Sequence, residues 1–258
     1  MPTRDTAWPD GSPCWADLSV EDLGSAKRRY GHLFGWDTDD SPGGDEGYVT
    51  CLKNGRAAAG IMERTSAEEP SAWLTYLATS DVDATTQRVV EAGGAVIEEP
   101  KDVGRGAGRL AVVRDASGGV LALWGAGAHT GFQVFGEPGT VAACVLLTRD
   151  LQASRAFYEQ VFGYTFGEEQ GGLVTFLVDG QPAGAMHQAD QLPDGVDAAW
   201  NVHFAVASRD ATVAMAEMED DTDILMSFDS PAGPEAVIRG PEGEVFNVTE
   251  LPDTPPEG

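Results

Sequence analysis

Trp15 and Asp17, Leu74 and Tyr76, and Ala122 and Trp124 lie two residues apart within apolar runs in the first half of this chain. Ala143 and Val145, Asn201 and His203, and Asn247 and Thr249 repeat that spacing in the second half. Residues i and i+2 share one face of a strand, so each pair acts together wherever its run is a strand. The first set offers two indoles and a phenol for stacking, with one carboxylate among them. The second offers two amides, a hydroxyl and an imidazole between small walls, a set suited to hydrogen bonding and proton transfer. Asp17 and His203 are therefore the candidate catalytic residues, as general bases. Trp15, Leu74, Tyr76, Trp124, Ala143, Val145, Asn201, Asn247 and Thr249 are candidate ligand contacts. Each also has a purely structural reading. Large aromatics fill cores, Arg109 or Arg56 could pair Asp17, and a histidine on a half-buried strand can be a satisfied core residue.

The elements that would carry these pairs come from a repeat. "DLGSAKRRYGHLFGW" (Asp22 to Trp36) and "DLQASRAFYEQVFGY" (Asp150 to Tyr164) are nearly the same segment. Both read as helices. Leu23, Ala26, Tyr30 and Leu33/Phe34 form one stripe, matched by Leu151, Ser154, Tyr158 and Val161/Phe162. Asp22 and Asp150 stand at the cap positions, and Gly35 and Gly163 stop the helices in left-handed turns. A strand candidate precedes each ("CWADLSV", "AACVLLT") and two follow each. A second pairing aligns Trp73–Pro100 with Trp200–Phe228, each followed by a strand, a glycine turn ("DASGG", "GPEGE") and a last strand. The chain thus divides into four β-α-β-β-β modules, at 12–65, 72–127, 139–189 and 198–251, grouped as halves 11–128 and 139–251 around a linker at 129–138. Residues 1–10 and 252–258 are expected to be disordered. The expected fold class is α+β, with mixed and antiparallel curved sheets and helices on their outer faces.

Composition narrows the partners. Asp and Glu outnumber Lys and Arg by 42 to 16, a formal charge of -26. Such a surface repels nucleic acid and anionic membrane. Cys14, Cys51 and Cys144 form no metal-binding spacing, which fits a reducing, cytoplasmic setting. No run is apolar for the ~20 residues a membrane span needs. "DVGRGAGR" (Asp102 to Arg109) lacks phosphate-loop order and reads as a mobile loop over the site. "EMEDDTD" (Glu217 to Asp223) reads as a solvated helix end.

The two "DL…" segments, "GGAVIEEP" and the "D-x-x-G" turn before a last strand resemble the vicinal oxygen chelate superfamily, which includes glyoxalases, extradiol dioxygenases and bleomycin-binding proteins. In tandem form the chain is similar to the actinobacterial two-domain glyoxalase-like proteins of the 27-kDa antigen type. The resemblance implies two cups, each lined by paired modules. It also implies a divalent metal held by His or Glu on first and last strands. Those positions fall on Trp15, Leu74 and Ala122 in one half and on Ala143, Asn201 and Asn247 in the other, none of them good ligands. No metal and no cofactor are expected. The leading expectation is metal-free binding of a small aromatic or polyketide-like metabolite, by a monomer or homodimer. A metal-independent isomerase, lyase or cyclase is the alternative, and a metal-dependent glyoxalase or dioxygenase the second.

Overall fold

The structure, a computed structural model, describes residues 3–39, 47–66, 70–104 and 106–252. The first module runs β1 (Pro13–Val20), α1 (Leu23–Phe34), β2 (Asp37–Asp39), β3 (Tyr48–Lys53) and β4 (Arg56–Glu63). The second runs β5 (Ala72–Ala78), α2 (Val82–Glu91), β6 (Ala95–Val103), β7 (Gly108–Arg114) and β8 (Val120–Ala126). The third comprises β9 (Val141–Thr148), α3 (Leu151–Phe162), β10 (Thr165–Phe166), β11 (Leu173–Val178) and β12 (Gln181–Gln188). The fourth comprises β13 (Ala198–Val206), α4 (Arg209–Ala216), β14 (Asp223–Ser230), β15 (Gly233–Arg239) and β16 (Val245–Glu250). Two eight-stranded sheets result, ordered β2-β3-β4-β1-β5-β8-β7-β6 and β10-β11-β12-β9-β13-β16-β15-β14. This is the expected α+β class.

The helices form for the reasons their sequences state. Asp22 accepts from the Ser25 amide and Asp150 from the Ala153 amide, each satisfying a free N–H of the first turn. Gly35 (φ 67°) and Gly163 (φ 71°) close the helices in the left-handed region that favours glycine. The buried stripes are Ala26, Tyr30, Leu33 and Phe34 on α1, and Leu151, Ser154, Phe157, Tyr158 and Val161 on α3.

Those stripes join the halves. The sheets meet back to back through β5 and β13, and one continuous apolar core runs through both. Phe34 stacks on Phe204 with ring centroids 4.5 Å apart, and Tyr30 meets Phe246 edge-on. Three tyrosines cross between halves, one of them Tyr164, whose hydroxyl donates to the Gly11 carbonyl. Tyr30 donates its hydroxyl to Glu244 (3.0 Å), in the β15–β16 turn, and Tyr158 donates to Asp115 (2.7 Å), in the β7–β8 turn. Asp115 also receives the Ser117 and Gly119 amides, which holds the turn in shape.

Two segments depart from expectation. Residues 3–10 are ordered: Thr3 bridges to Val134, the Arg4 amide donates to Gln133, and Trp8 packs on Phe132 and Phe135. Of the segment expected to be a mobile loop, Asp102 and Val103 end β6, Gly108 and Arg109 begin β7, Gly104 (φ 59°) and Gly106 (φ 83°) are left-handed between them, and residue 105 lies outside the described residues. The carbonyls at 106 and 107 accept from the amides of Gly127, Ala128 and His129, so this segment anchors the linker. The tail at 253–258 lies outside the described residues.

Candidate functional site

The helix-free face of each sheet is the candidate cup, and register places the sequence candidates on it. On β13, Trp200, Val202 and Phe204 are buried, Trp200 against Tyr158 of α3 and Phe204 against Phe34 and Trp73 of the other half, while Ala199, Asn201 and His203 alternate with them and stay half-exposed. In the first sheet Trp15 lies opposite Tyr76 and Asp17 opposite Leu74, with Tyr76 beside Ala122. In the second, Ala143 lies opposite His203 and Val145 opposite Asn201, with His203 beside Asn247.

The first cup is filled by the chain itself. Trp15, Tyr76 and Trp124 are 2%, 6% and 5% exposed. The His129 ring lies 4.3 Å from Trp15 and the Phe132 ring 5.4 Å from it, so linker side chains occupy the space a ligand would use. Backbone bonds fix this plug. Phe132 donates to the Cys14 carbonyl and Gln133 to the Ala57 carbonyl, where β1 and β4 have not yet paired. Trp124 donates to the His129 carbonyl and Trp15 to the Tyr48 hydroxyl, so both indole N–H groups are used internally. Burial holds His129 well down, at about 4, so its ring is neutral.

Asp17 sits beneath this cluster. Its partner is the Tyr76 hydroxyl, at 2.7 Å, rather than an arginine. Arg109 is engaged by Asp83 and Asp102, and Arg56 by Asp5. Burial pushes the Asp17 carboxyl up to about 7, against the opposing pull of the Tyr76 hydrogen bond. Gly60 is required beside it, because a Cβ there would collide with the Tyr48 hydroxyl and come 2.9 Å from the Asp17 Cβ.

The second cup is different in kind. Ala143, Leu147, Thr175, Leu177, Ala185 and Val237 line it half-exposed. His203 places Nδ1 3.2 Å from Glu235 and 3.3 Å from the Thr249 hydroxyl. Glu235 also accepts from Asn247 (3.4 Å) and from the Ser230 hydroxyl. Burial raises the Glu235 carboxyl, but the hydrogen bonds from His203 and Ser230, the imidazole charge and Asn247 outweigh it and leave it below the ordinary value. The Oδ1 atoms of Asn201 and Asn247 are buried with no partner. A buried acceptor left unmade costs about 1–3 kcal/mol, so each is poised for a donor.

A divalent ion does not fit either cup. Among the described residues no three His, Cys, Asp or Glu side chains come together. The imidazole and carboxylate that do meet in the second cup bond to each other, and amides occupy the neighbouring positions. Glu235, Tyr48, His129 and Phe132 were not foreseen from sequence; the alternation of Glu235 with Val237 opposite Thr249 was the available signal for the first of these. A separate hollow of about 570 Å³ lies beside the first cup, between Trp8, Asp81, Asp83, Arg109 and Trp124. Arg109 there is already paired with Asp83, and Asp81 accepts from the Ala84 amide as the cap of α2.

The described chain matches known proteins along nearly its whole length. The model of the Glyoxalase/Bleomycin resistance protein/Dioxygenase superfamily fits twice, at residues 14–123 and 140–247. CFP32 of Mycobacterium bovis is 37% identical over 259 residues, covering 96% of this chain and 97% of its own. Anthracycline biosynthesis protein DnrV of Streptomyces peucetius is 34% identical over 263 residues, covering 95% of each chain. Among solved structures, the Mn(II)-bound glyoxalase from Novosphingobium aromaticivorans superposes with a TM-score of 0.64 at 17% identity, covering 94% of this chain and 82% of that one, a likeness of fold.

Proposed function

Since the chain belongs to the glyoxalase/bleomycin resistance protein/dioxygenase superfamily, we propose that it binds a flat aromatic or polyketide-like metabolite in its second cup, without a metal ion. The observation that carries this reading is the pair of unpartnered amide oxygens, on Asn201 and Asn247, set among half-exposed apolar walls. An apolar cleft with a few convergent polar groups is the usual form of a small-molecule site. Thr249 and His203 add hydroxyl and imidazole edges, and Ala143 and Val145 leave room above the sheet. The name of DnrV ties that relative to anthracycline biosynthesis. Anthracyclines are fused-ring polyketides bearing hydroxyl donors, the complement of unfilled amide acceptors between apolar walls. Binding, sequestration or resistance would all follow from such a cup.

The test is a titration of the protein with 2-hydroxyanthraquinone, followed by dye absorbance and tryptophan quenching. Saturable binding is expected, weakened roughly tenfold by Asn201→Leu or Asn247→Leu, the worth of one hydrogen bond to a buried acceptor. No saturable response, binding indifferent to both substitutions, or a stoichiometric transition metal in the purified protein would refute the reading.

A further inference from the structure

We propose that His203 and Glu235 form a metal-independent proton-accepting pair, and that the ligand they act on carries an acidic hydroxyl, a phenol or enol conjugated to a carbonyl. For its ligand this rests on the binding reading of the second cup. For the state of the pair it rests on geometry alone.

Glu235 is 5% exposed, and its carboxylate is an acceptor only. A carboxylate 3.2 Å from Nδ1 of His203 favours the hydrogen on that nitrogen, and Thr249 at 3.3 Å lies on the same side of the ring. Nε2 has no partner among the described residues, so in the neutral ring it presents a bare lone pair on the cup side of β13. Ser230 and Asn247 hold the carboxylate from its other sides, so it does not rotate away from the imidazole. Glu235 is thus a positioning residue: it fixes the tautomer and faces the positive charge that forms when Nε2 takes a proton.

Nothing in the architecture demands this pair. The first half holds the same two positions in the same register. Tyr76 lies opposite Trp15 where His203 lies opposite Ala143, and Leu110 lies opposite Trp124 where Glu235 lies opposite Thr249. That half is filled and folded with a phenol and a leucine there. A buried carboxylate is costly unless paired, and the second half bears that cost on its cup face at Glu235, where the first half has Leu110.

The step balances simply. The ligand O–H bond breaks, its hydrogen forms an N–H bond on Nε2, and the electron pair stays on oxygen, delocalised into the conjugated carbonyl. Glu235 faces the imidazolium, and no oxidant, reductant or metal is required. A bound phenolate or enolate is the species from which tautomerisation or ring closure proceeds.

Two measurements test this. With 2-hydroxyanthraquinone, at a pH where the free dye is neutral, the bound dye should show the phenolate band in the wild-type protein. It should bind without that band in His203→Gln, and the phenolate-to-neutral ratio should fall about tenfold in Glu235→Gln, one pKa unit of lost charge pairing. A bound dye that stays neutral in the wild type, or keeps its phenolate band in His203→Gln, would overturn the proposal. Independently of any ligand, nitrogen-15 spectra should show the neutral His203 ring, assigned by its loss in His203→Gln, protonated at Nδ1. That preference should weaken in Glu235→Gln. A ring protonated at Nε2 would overturn the pair even if no dye binds, whereas failure of binding with an Nδ1-protonated ring would count against the ligand reading and leave the pair standing.

Discussion

Replacing Asp17 with asparagine should change the dependence of stability on pH in one direction and by a calculable amount. Burial raises the carboxyl from 3.8 to about 7 in the folded chain. The native state therefore holds this proton where the unfolded state has released it. The stabilisation is fully present below the unfolded value and is lost as pH rises through the folded one. Between about pH 4 and pH 7 the unfolded state is one charge more negative at this site, so stability falls by about 1.4 kcal/mol per pH unit. Over a shift of roughly three units the loss is on the order of 4 kcal/mol, and above pH 7 it levels off. The asparagine side chain of D17N would keep a carbonyl for the Tyr76 hydroxyl and carry no charge. Urea denaturation at pH 5, 6, 7 and 8, followed by tryptophan emission, should show the wild type losing ground to D17N by roughly 2–3 kcal/mol across that range. Parallel curves would mean that Asp17 is ionised throughout and that the closed first cup does not desolvate it. The outcome bears on chemistry as well as stability, because a carboxyl that keeps its proton near neutrality is a hydrogen-bond donor there and not a base.

Two further substitutions probe the frame around the cups. Tyr158→Phe removes a hydroxyl that donates to Asp115 and accepts from Trp200. It should cost about 1–3 kcal/mol by denaturation. Tyr30→Phe should cost less, because Glu244 has the opposite charge of Arg29 at 3.9 Å whereas Asp115 keeps only backbone amides; equal losses would contradict that accounting. Gly60→Ala forces a Cβ against the Tyr48 hydroxyl. It should lower stability by about 1–3 kcal/mol and alter tryptophan emission, while dye binding at the second cup stays unchanged. A parallel loss of dye binding would show that the two cups are not independent.

Much of the frame was legible because it is written locally. Asp22 and Gly35 bracket one helix and Asp150 and Gly163 its copy, and each signal acts within a turn or two of its own position. Strand alternation placed Asn201 and His203 on one face for the same reason. The closure of the first cup was not legible. Phe132 reaches Trp15 from far along the chain, and nothing in "HTGFQVF" marks it as core rather than connection. Arg109 and Arg56 were the pairing alternatives for Asp17 that charge alone suggests, whereas strand register supplies Tyr76. Glu235 lies on β15, neither the first nor the last strand of its module, and its sequence neighbours alone do not mark it. Its meaning depends on standing opposite Thr249 and within reach of His203, a relation set by sheet order.

The crossed tyrosines have a consequence for how a duplicated chain can diverge. Each copy carries the key to the other's lock, so neither can be discarded without stripping an aromatic wall bare to water. As a brace, the leading copy can fill its own hollow with indole and phenol. The trailing copy keeps a hydrogen-bonded acid and imidazole where its sibling keeps a leucine and a phenol.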